Sequence, residues 1–304
     1  MPTNVFRIWP FTGAMDGRIA VKRINILLLT VLAVAVGLFG AYRIWIHNRL
    51  DTTGPFITID EGLLEISVSD PEEALMQGIR AVDARDGDVT DSLLVERIYG
   101  ITEDNVTTVT YAAFDRAGNV SKVERKVRYT DYESPRFQLY GSLSFPGSSG
   151  FDLLEYVGAT DVLEGDIRRR VRATLISDTK SIAQIGSHVV RFQVTNSLGD
   201  TVEADLPVEV YDPEWYTASV ELSEYLIYLV PGDSFDPKKY LETFVVRGED
   251  IDVSRSIPED VYCSIANNVA TRVPGIYTVT YTLSKNLNLM TFTGQAVLIV
   301  IVQE

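Results

Sequence analysis

The segment 81–100, AVDARDGDVTDSLLVERIYG, carries three aspartates within six residues, Asp83, Asp86 and Asp88. Carboxylates at this density could hold a calcium ion, act as catalytic acids or bond the main chain of a tight turn. An EF-hand loop needs a glutamate at its twelfth position, and the residue eleven after Asp83 is Leu94. The EF-hand is therefore excluded, whereas a structural turn and a cation site formed between loops stay open.

The elements that position these aspartates recur along the chain. Asp51 is followed four residues later by a proline, and the same pattern begins again about 80 residues on, at Asp131. Asp212, directly before a proline, lies about another 80 residues further. A fixed period of this size is typical of tandem structural units. The predicted repeats span residues 55–131, 132–212 and 213–304.

The aspartate segment itself has counterparts in the other two repeats. DGDVT at 86–90 aligns with EGDIR at 164–168 and more loosely with GEDID at 248–252, which makes Asp88, Asp166 and Asp250 equivalent. A single aspartate retained before a β-branched residue favours a local turn in which the side chain accepts main-chain N–H groups. The alternative is a cation site made by Asp83, Asp86, Asp88 and Asp115, with oxygen ligands retained in the second repeat as Asp161, Glu164 and Asn196. The third repeat has Val245, Gly248 and Lys285 there and is predicted to bind no metal.

Each repeat also contains a strand with alternating polarity, at 104–113, 185–194 and 274–283. Period-two alternation predicts a strand with one buried face. In this alignment His188 takes the position of Tyr277, so we expect an aromatic substitute at the edge of the core rather than a ligand or a base. Turn residues follow each strand, with Gly118 and Gly199 placed for a positive φ.

The order of these motifs resembles a known family. D-x-x-D-G-D-V-T at 83–90, V-T-Y-x-x-x-D-x-x-G-N at 109–119 and R-K-V at 125–127 before D-x-x-x-P are similar to the bacterial immunoglobulin-like domain named after a pesticidal crystal protein. That domain is a relative of the hyalin-type and cadherin-like repeats. The resemblance implies a seven-stranded β-sandwich per repeat and a surface, spacer or adhesion module without chemistry of its own. The predicted fold is all-β, with three tandem immunoglobulin-like β-sandwiches preceded by one transmembrane α-helix.

The transmembrane prediction comes from 24–42, which contains no charged residue, and from the apolar residues that continue to position 46. Arg18, Lys22 and Arg23 precede this run, and the positive-inside bias predicts a cytoplasmic N-terminus and an extracytoplasmic array. The predicted parts are a cytoplasmic head at 1–23, a helix at 24–46 and a linker at 47–54. The alternative is a signal peptide cleaved after the small residues 33–35, although signal cores are usually shorter.

Charge and residue usage limit the classes of function. After position 50 the chain has 21 basic and 41 acidic residues, a net charge of −20, which would repel nucleic acid. One cysteine, Cys263, and two histidines cannot form a disulfide or a Cys/His zinc site. SDTK at 177–180 fits the S-x-x-K pattern of serine enzymes but lacks the companion S-D-N and K-T-G motifs. With no phosphate loop or dinucleotide fingerprint either, the sequence predicts no enzyme and no cofactor, calcium being the possible exception.

Two non-enzymatic hypotheses remain. The first is a membrane-anchored stalk, adhesion or protein-interaction module on the cell surface. The second is a receptor for cell-wall or host glycan, or for an anionic polymer, with Trp215 and Tyr216 as an aromatic platform and Arg168, Arg170 and Arg172 as a basic cluster. For each set the sequence favours a structural role, namely packing at a repeat junction for the aromatics and exposed strand positions for the arginines. An exposed tryptophan or arginine cluster would favour the receptor.

Overall fold

The computed structural model describes residues 17–147, 150–177 and 181–303. It begins with the helix α1, Gly17–Arg49, so most of the predicted cytoplasmic head, residues 1–16, lies outside the described residues. Its segment Arg23–Ile46 is long and apolar enough to cross a membrane. At about 1.5 Å per residue that segment is roughly 36 Å long, against about 30 Å for a hydrocarbon core. The helix continues through Arg49, three residues into the segment predicted as a linker.

The first repeat has seven strands in two sheets. One sheet has the order β1-β3-β4 and the other β2-β7-β6-β5, with β2 parallel to β7. The strands are β1 Phe56–Ile59, β2 Leu64–Ile66, β3 Ile79–Asp83, β4 Gly87–Asp88, β5 Leu94–Ile101, β6 Val106–Phe114 and β7 Val120–Tyr129. β6 contains the alternating segment predicted from the sequence.

The second repeat has the same strand order. Its three-stranded sheet is β8-β10-β11 and its four-stranded sheet is β12-β13-β14-β9. The strands are β8 Arg136–Leu139, β9 Ser144–Pro146, β10 Val157–Asp161, β11 Gly165–Asp166, β12 Arg172–Leu175, β13 Gly186–Thr195 and β14 Thr201–Tyr211. Phe137, Phe192 and Leu206 from the two sheets are fully buried in one core.

The third repeat has the same strand order, with one sheet β15-β17-β18 and the other β16-β21-β20-β19. The strands are β15 Ser219–Leu222, β16 Leu226–Leu229, β17 Leu241–Val246, β18 Glu249–Asp252, β19 Val261–Asn267, β20 Gly275–Leu287 and β21 Met290–Val302. Phe244, Leu283 and Leu298 lie in its core. The predicted all-β class and the tandem sandwich-like repeats behind one N-terminal apolar helix are confirmed, while the exact repeat boundaries stay predictions.

The described chain divides into two compact units. The first holds α1, β1, the segment Ile79–Leu94 and the segment Ala112–Lys122. The second holds Asp60–Gly78, Val95–Tyr111 and the chain from Val123 onward, which includes the second and third repeats.

His188 and Tyr277, on equivalent long strands, each contact a main-chain carbonyl close in sequence. His188 is 2% exposed, and its Nε2 lies 2.7 Å from the carbonyl oxygen of Gln184, four residues upstream. The Tyr277 hydroxyl donates over 2.9 Å to the carbonyl of Val273, also four residues upstream. His188 thus occupies the Tyr277 position, as the sequence alignment predicted, and its ring nitrogen is used for structure.

A buried tyrosine on the same long strand distinguishes the first and third repeats from the second. Tyr111 on β6 and Tyr281 on β20 are fully buried, and each hydroxyl donates over 2.7 Å to a carbonyl, that of Leu75 and that of Pro237. Burial raises the pKa of Tyr111 to about 12. These bonds satisfy hydroxyls that would otherwise be costly to bury. The second repeat places Phe192 there and needs no such bond.

The second and third repeats share hydrophobic packing. Ile299 on β21 is 1% exposed and lies in the core cluster of the second repeat, together with the partly buried Leu226 of β16. The Tyr228 hydroxyl accepts a hydrogen bond of 2.9 Å from the amide of Phe137, and the amide of Val297 donates over 3.1 Å to Ser142 Oγ. The edge of β8 is therefore covered by the third repeat.

One aspartate turn is present in all three repeats. Asp88 accepts from the amide of Thr90 at 2.9 Å, Asp166 from that of Arg168 at 3.0 Å and Asp252 from that of Ser254 at 2.9 Å. In the third repeat the turn is therefore formed by Asp252 and not by Asp250, the predicted counterpart of Asp88. The hairpin of β17 and β18 turns through only two residues, which makes β18 four residues long where β4 and β11 have two.

Loss of this turn should destabilise the third repeat in a pH-dependent way. Hydrogen bonds from the hydroxyl and the amide of Ser254 hold the pKa of Asp252 below its ordinary value. A carboxylate with a lowered folded-state pKa stabilises the fold above its unfolded-state pKa of about 4, and this contribution disappears as the pH falls through the folded-state value.

We therefore expect Asp252→Ala to lower the melting temperature at pH 7, and we expect its difference from the parent chain to shrink below about pH 4. Asp250→Ala, two residues away on the same strand, is the matched control and should melt like the parent. A pH-independent loss, or an equal loss in both variants, would contradict the role of the turn. Differential scanning calorimetry at several pH values measures all three chains.

Candidate functional site

The aspartates of the opening segment first act on the main chain. Asp83 ends β3, and its Oδ1 accepts from the amides of Arg85 at 2.7 Å and Asp86 at 2.9 Å. Hydrogen bonds from the Asp86 and Arg85 amides lower the pKa of Asp83. In the second repeat Asp161 accepts from the amides of Leu163 and Glu164 in the same way. The turn favoured by the sequence is therefore present around both residues.

The four predicted cation ligands do not come together as one set. Asp88 is used in the turn with Thr90, and hydrogen bonds from the Thr90 hydroxyl and amide lower its pKa. Asp86 accepts from the amide of Arg116 at 2.8 Å, with the guanidinium of that residue 3.9 Å away. Only Asp83 and Asp115 of the four belong to the close carboxylate cluster described next.

That cluster is completed by Asp51, a residue that the sequence analysis used only to define the repeat. Asp51, Asp83 and Asp115 each offer one carboxylate oxygen, and these atoms lie within 4.8 Å of one another. Asp83 is 3% exposed and Asp115 is 8% exposed. Oxygen ligands of this kind suit a hard divalent cation, and three neighbouring carboxylates repel one another when nothing offsets their charge.

Asn119 connects the cluster to the chain that follows α1. Its amide N–H donates to Asp115 Oδ1 at 2.7 Å and its side chain donates to Asp115 Oδ2 at 2.6 Å. The same side-chain amide lies 3.1 Å from the carbonyl of Asp51 and 3.3 Å from that of Thr53. Arg85 Nε lies 3.6 Å from Asp51 Oδ2. The hairpin turn at 115–119 therefore holds the segment by which the chain enters the first repeat.

In the second repeat, neutral hydrogen-bond donors face the corresponding buried carboxylate. Asn196 takes the place of Asp115, and its side-chain amide donates to Asp161 Oδ2 at 2.9 Å. The same amide lies 2.8 Å from the hydroxyl of Tyr132, which donates to Asp200 Oδ2 at 2.7 Å. Burial raises the pKa of Tyr132, and its bond to Asp200 raises it further. An N–H donor thus faces the carboxylate where the first repeat places a second carboxylate.

Asp131, the counterpart of Asp51, is also used differently. Its carboxylate accepts from Ser67 Oγ at 2.7 Å and from the amide of Val68 at 2.8 Å, and these bonds lower its pKa. In the third repeat Lys285 forms an ion pair of 2.8 Å with Asp260. Among the residues that the structure describes, a close group of three carboxylates occurs only in the first repeat.

The aromatic candidates separate into one half-buried and one exposed residue. Tyr216 packs edge-on against Tyr211 at the end of β14, with ring centroids 4.8 Å apart. Trp215 is 57% exposed. Junction packing, which the sequence analysis favoured for both, therefore describes Tyr216 but not Trp215.

The arginine cluster differs from the prediction in its local structure. Arg168 and Arg170 lie in a 3₁₀ turn, and only Arg172 lies on a strand, at the start of β12. Arg170 forms an ion pair with Glu164. Arg168 donates to Asp166 over 2.8 Å and lies 4.9 Å above the ring of Tyr140. The charges of two of the three arginines are thus offset by carboxylates of the same repeat, which weakens the electrostatic attraction between this cluster and an anionic polymer.

The carboxylate cluster generates a direct test for calcium. If a cation binds there, millimolar calcium should raise the melting temperature of the full chain relative to EDTA, since a ligand at 100 times its dissociation constant stabilises by about 2.7 kcal/mol. Asp115→Asn, which installs the residue of the second repeat, should abolish the calcium effect.

The matched control is Asp88→Asn, a change in the same segment but outside the cluster. It should keep the calcium effect. Coincident melting curves of the parent chain in calcium and in EDTA would show that the cluster is only a turn.

Comparisons with known proteins give distant structural matches. No protein-family profile matches the sequence, and no curated protein matches it. Similar solved structures include protocadherin gamma B2 extracellular cadherin domains 1–5, with 10% identity over 83% of this chain and 60% of that one and a TM-score of 0.20. A second is the M60 catalytic domain with CBM51 domains of Clostridium perfringens ZmpB, which is 10% identical over 76% of this chain and 37% of that one, with a TM-score of 0.23. A third is mouse cadherin-23 EC22-24, which is 12% identical over 82% of this chain and 98% of that one, with a TM-score of 0.19. The chain spans about 60% of the protocadherin fragment and about a third of the ZmpB fragment. At these TM-scores the matches carry no argument about function.

Proposed function

We propose that the chain is a non-catalytic, membrane-anchored protein whose tandem sandwiches form an interaction module outside the membrane. The observation that carries this proposal is α1. Eleven large apolar side chains between Ile24 and Phe39 are more than half exposed. At about 1.5–3 kcal/mol for each large apolar side chain taken out of water, transfer of this helix into lipid is favoured by on the order of 20 kcal/mol.

The ends of the helix support the same placement. Tyr42 and Trp45 stack with ring centroids 6.5 Å apart at the end of the apolar run, where amphipathic aromatics collect at a membrane interface. Basic residues precede the run and an acidic array follows it, so the positive-inside bias favours a cytoplasmic N-terminus. Asp51 lies two residues after the helix and belongs to the carboxylate cluster of the first repeat.

The anchor is tested by expressing the full chain and washing the membranes with alkaline carbonate. We expect the chain to stay with the membrane at its full mass, and we expect protease added to the outer face to digest the repeats while sparing an N-terminal tag. Leu32→Arg combined with Val36→Arg should weaken retention, because each charge at the middle of a span costs about 3 kcal/mol.

Two outcomes would overturn the anchor. A mature chain that begins near Val36 would identify 1–35 as a cleaved signal peptide. Protection of the repeats from external protease, with exposure of the tag, would reverse the orientation.

A receptor role is the second candidate, and the exposure of Trp215 favours it. An exposed indole offers an apolar face and a donor N–H, the features that stack on a sugar ring. The ligand class would be envelope or host glycan, or an anionic polymer with help from Arg172.

This candidate is tested by sedimenting the full chain with purified cell-wall polysaccharide. We expect Trp215→Ala to reduce the bound fraction, since the aromatic contact is lost, while Phe56→Ala, at an exposed aromatic of the first repeat, leaves it unchanged. Equal binding of the two variants and the parent would remove Trp215 from any binding site.

A further inference from the structure

The third repeat has one strand whose free edge lacks the usual protection. In the order β16-β21-β20-β19, the strand β19 pairs only with β20. Its seven residues, VYCSIAN, include no charged residue, no proline and no glycine. Natural edge strands are usually blunted by charges, prolines or short length, because unpaired main-chain groups recruit other strands.

The other edges of the four-stranded sheets are protected. β5 carries Glu96 and Arg97, β12 has four residues and begins with Arg172, and β2 and β9 have three residues each. β16 has four residues, and its Tyr228 contacts the second repeat. The contrast singles out β19 among the edges of these sheets.

We propose that β19 pairs with β19 of a second copy of this chain, antiparallel and centred on Ser264, so that two four-stranded sheets become one. The inference deepens the proposed interaction role by naming the partner, and it rests on that proposed function. The centre at Ser264 is the register that pairs all seven residues of the strand.

Main-chain geometry is consistent with this register. The amide of Val261 donates to the carbonyl of Pro258 at 3.0 Å rather than to β20. Because bonded and non-bonded positions alternate in an antiparallel ladder, Cys263 and Ile265 direct their main-chain groups to the free edge. Pairing about Ser264 then joins Cys263 of each copy to Ile265 of the other, and the two Ser264 residues form a close, non-hydrogen-bonded pair.

Side chains and charges also fit a copy of the same strand. Tyr262 is 68% exposed and would lie opposite the exposed Ala266, a large residue beside a small one. Asp260, directly before the strand, would lie opposite the neutral Asn268 of the second copy. A parallel arrangement would instead place the two Asp260 residues side by side, so the antiparallel one avoids like-charge contact.

Disulfide trapping of the full chain in detergent micelles tests the register. In a Cys263→Ala background, Ser264→Cys should form a covalent dimer under mild oxidation, because directly opposed residues of a non-hydrogen-bonded pair meet disulfide geometry. Ser187→Cys, an exposed position on β13, is the matched control and should remain monomeric.

A mixed experiment sharpens the prediction. Tyr262→Cys alone and Ala266→Cys alone should cross-link poorly, whereas a mixture of the two chains should yield a heterodimer. Adding Ser264→Lys to both chains should abolish that product, since it opposes two like charges on a surface position. Added salt should increase the dimer, because the two acidic arrays repel one another.

Three outcomes would overturn the pairing. Equal cross-linking at positions 264 and 187 would indicate association through α1 or random collision. Better cross-linking of Tyr262→Cys alone than of the mixture would contradict the register, and a monomer at every position would show that β19 does not bind a second copy. Retention on the membrane is measured separately, so a failed anchor and a failed dimer are distinguishable.

Discussion

The side chain of Ile299 projects from the outer face of β21 into the hydrophobic core of the second repeat, where it is 1% exposed. Burial of an isoleucine there stabilises the folded state by about 1.5–3 kcal/mol, and its van der Waals contacts with neighbouring side chains stabilise it further. Tyr225 packs against the cores of both repeats, and Tyr228 covers the edge of β8. The half of the sheet formed by β16 and β21 is therefore packed against the second repeat. The opposite edge, at β19, is the one left for another chain.

The first and second repeats show how one scaffold handles buried carboxylates in two ways. Asp161 meets the amide of Asn196, so its charge is stabilised by a donor within the protein. Asp83 meets Asp115 and Asp51 instead, so like charges face one another in the first repeat. The difference lies in a reciprocal exchange, since Asp115 and Asn119 of the first repeat become Asn196 and Asp200 in the second. The carboxylate cluster lies where the chain leaves the helix, since Asp51 follows α1 by two residues.

Much of the fold could be predicted from the sequence because its signals are local. Alternating strands, the turn at Asp88 and the match of His188 to Tyr277 depend on residues close in the chain. The turn of the third repeat lies at Asp252 rather than at Asp250 because its hairpin is shorter, and a loose motif does not record hairpin length. Asp51 was missed as a cluster member since tertiary closure brings the linker to the turns at 83–88 and 115–119. The continuous apolar run at 296–302 is typical of a strand buried on both faces, but it does not indicate that the second repeat covers the outer one.

The coupling through Ile299 is tested most directly by hydrogen exchange of the full chain in detergent, read by mass spectrometry. If the second and third repeats unfold as one cooperative body, amides around Phe192 and around Tyr281 should exchange with the same free energy of opening. Ile299→Ala should lower both by the same amount, about 2–5 kcal/mol for a buried isoleucine truncated to alanine. Different opening free energies in the parent chain, or a loss confined to the third repeat, would contradict the account.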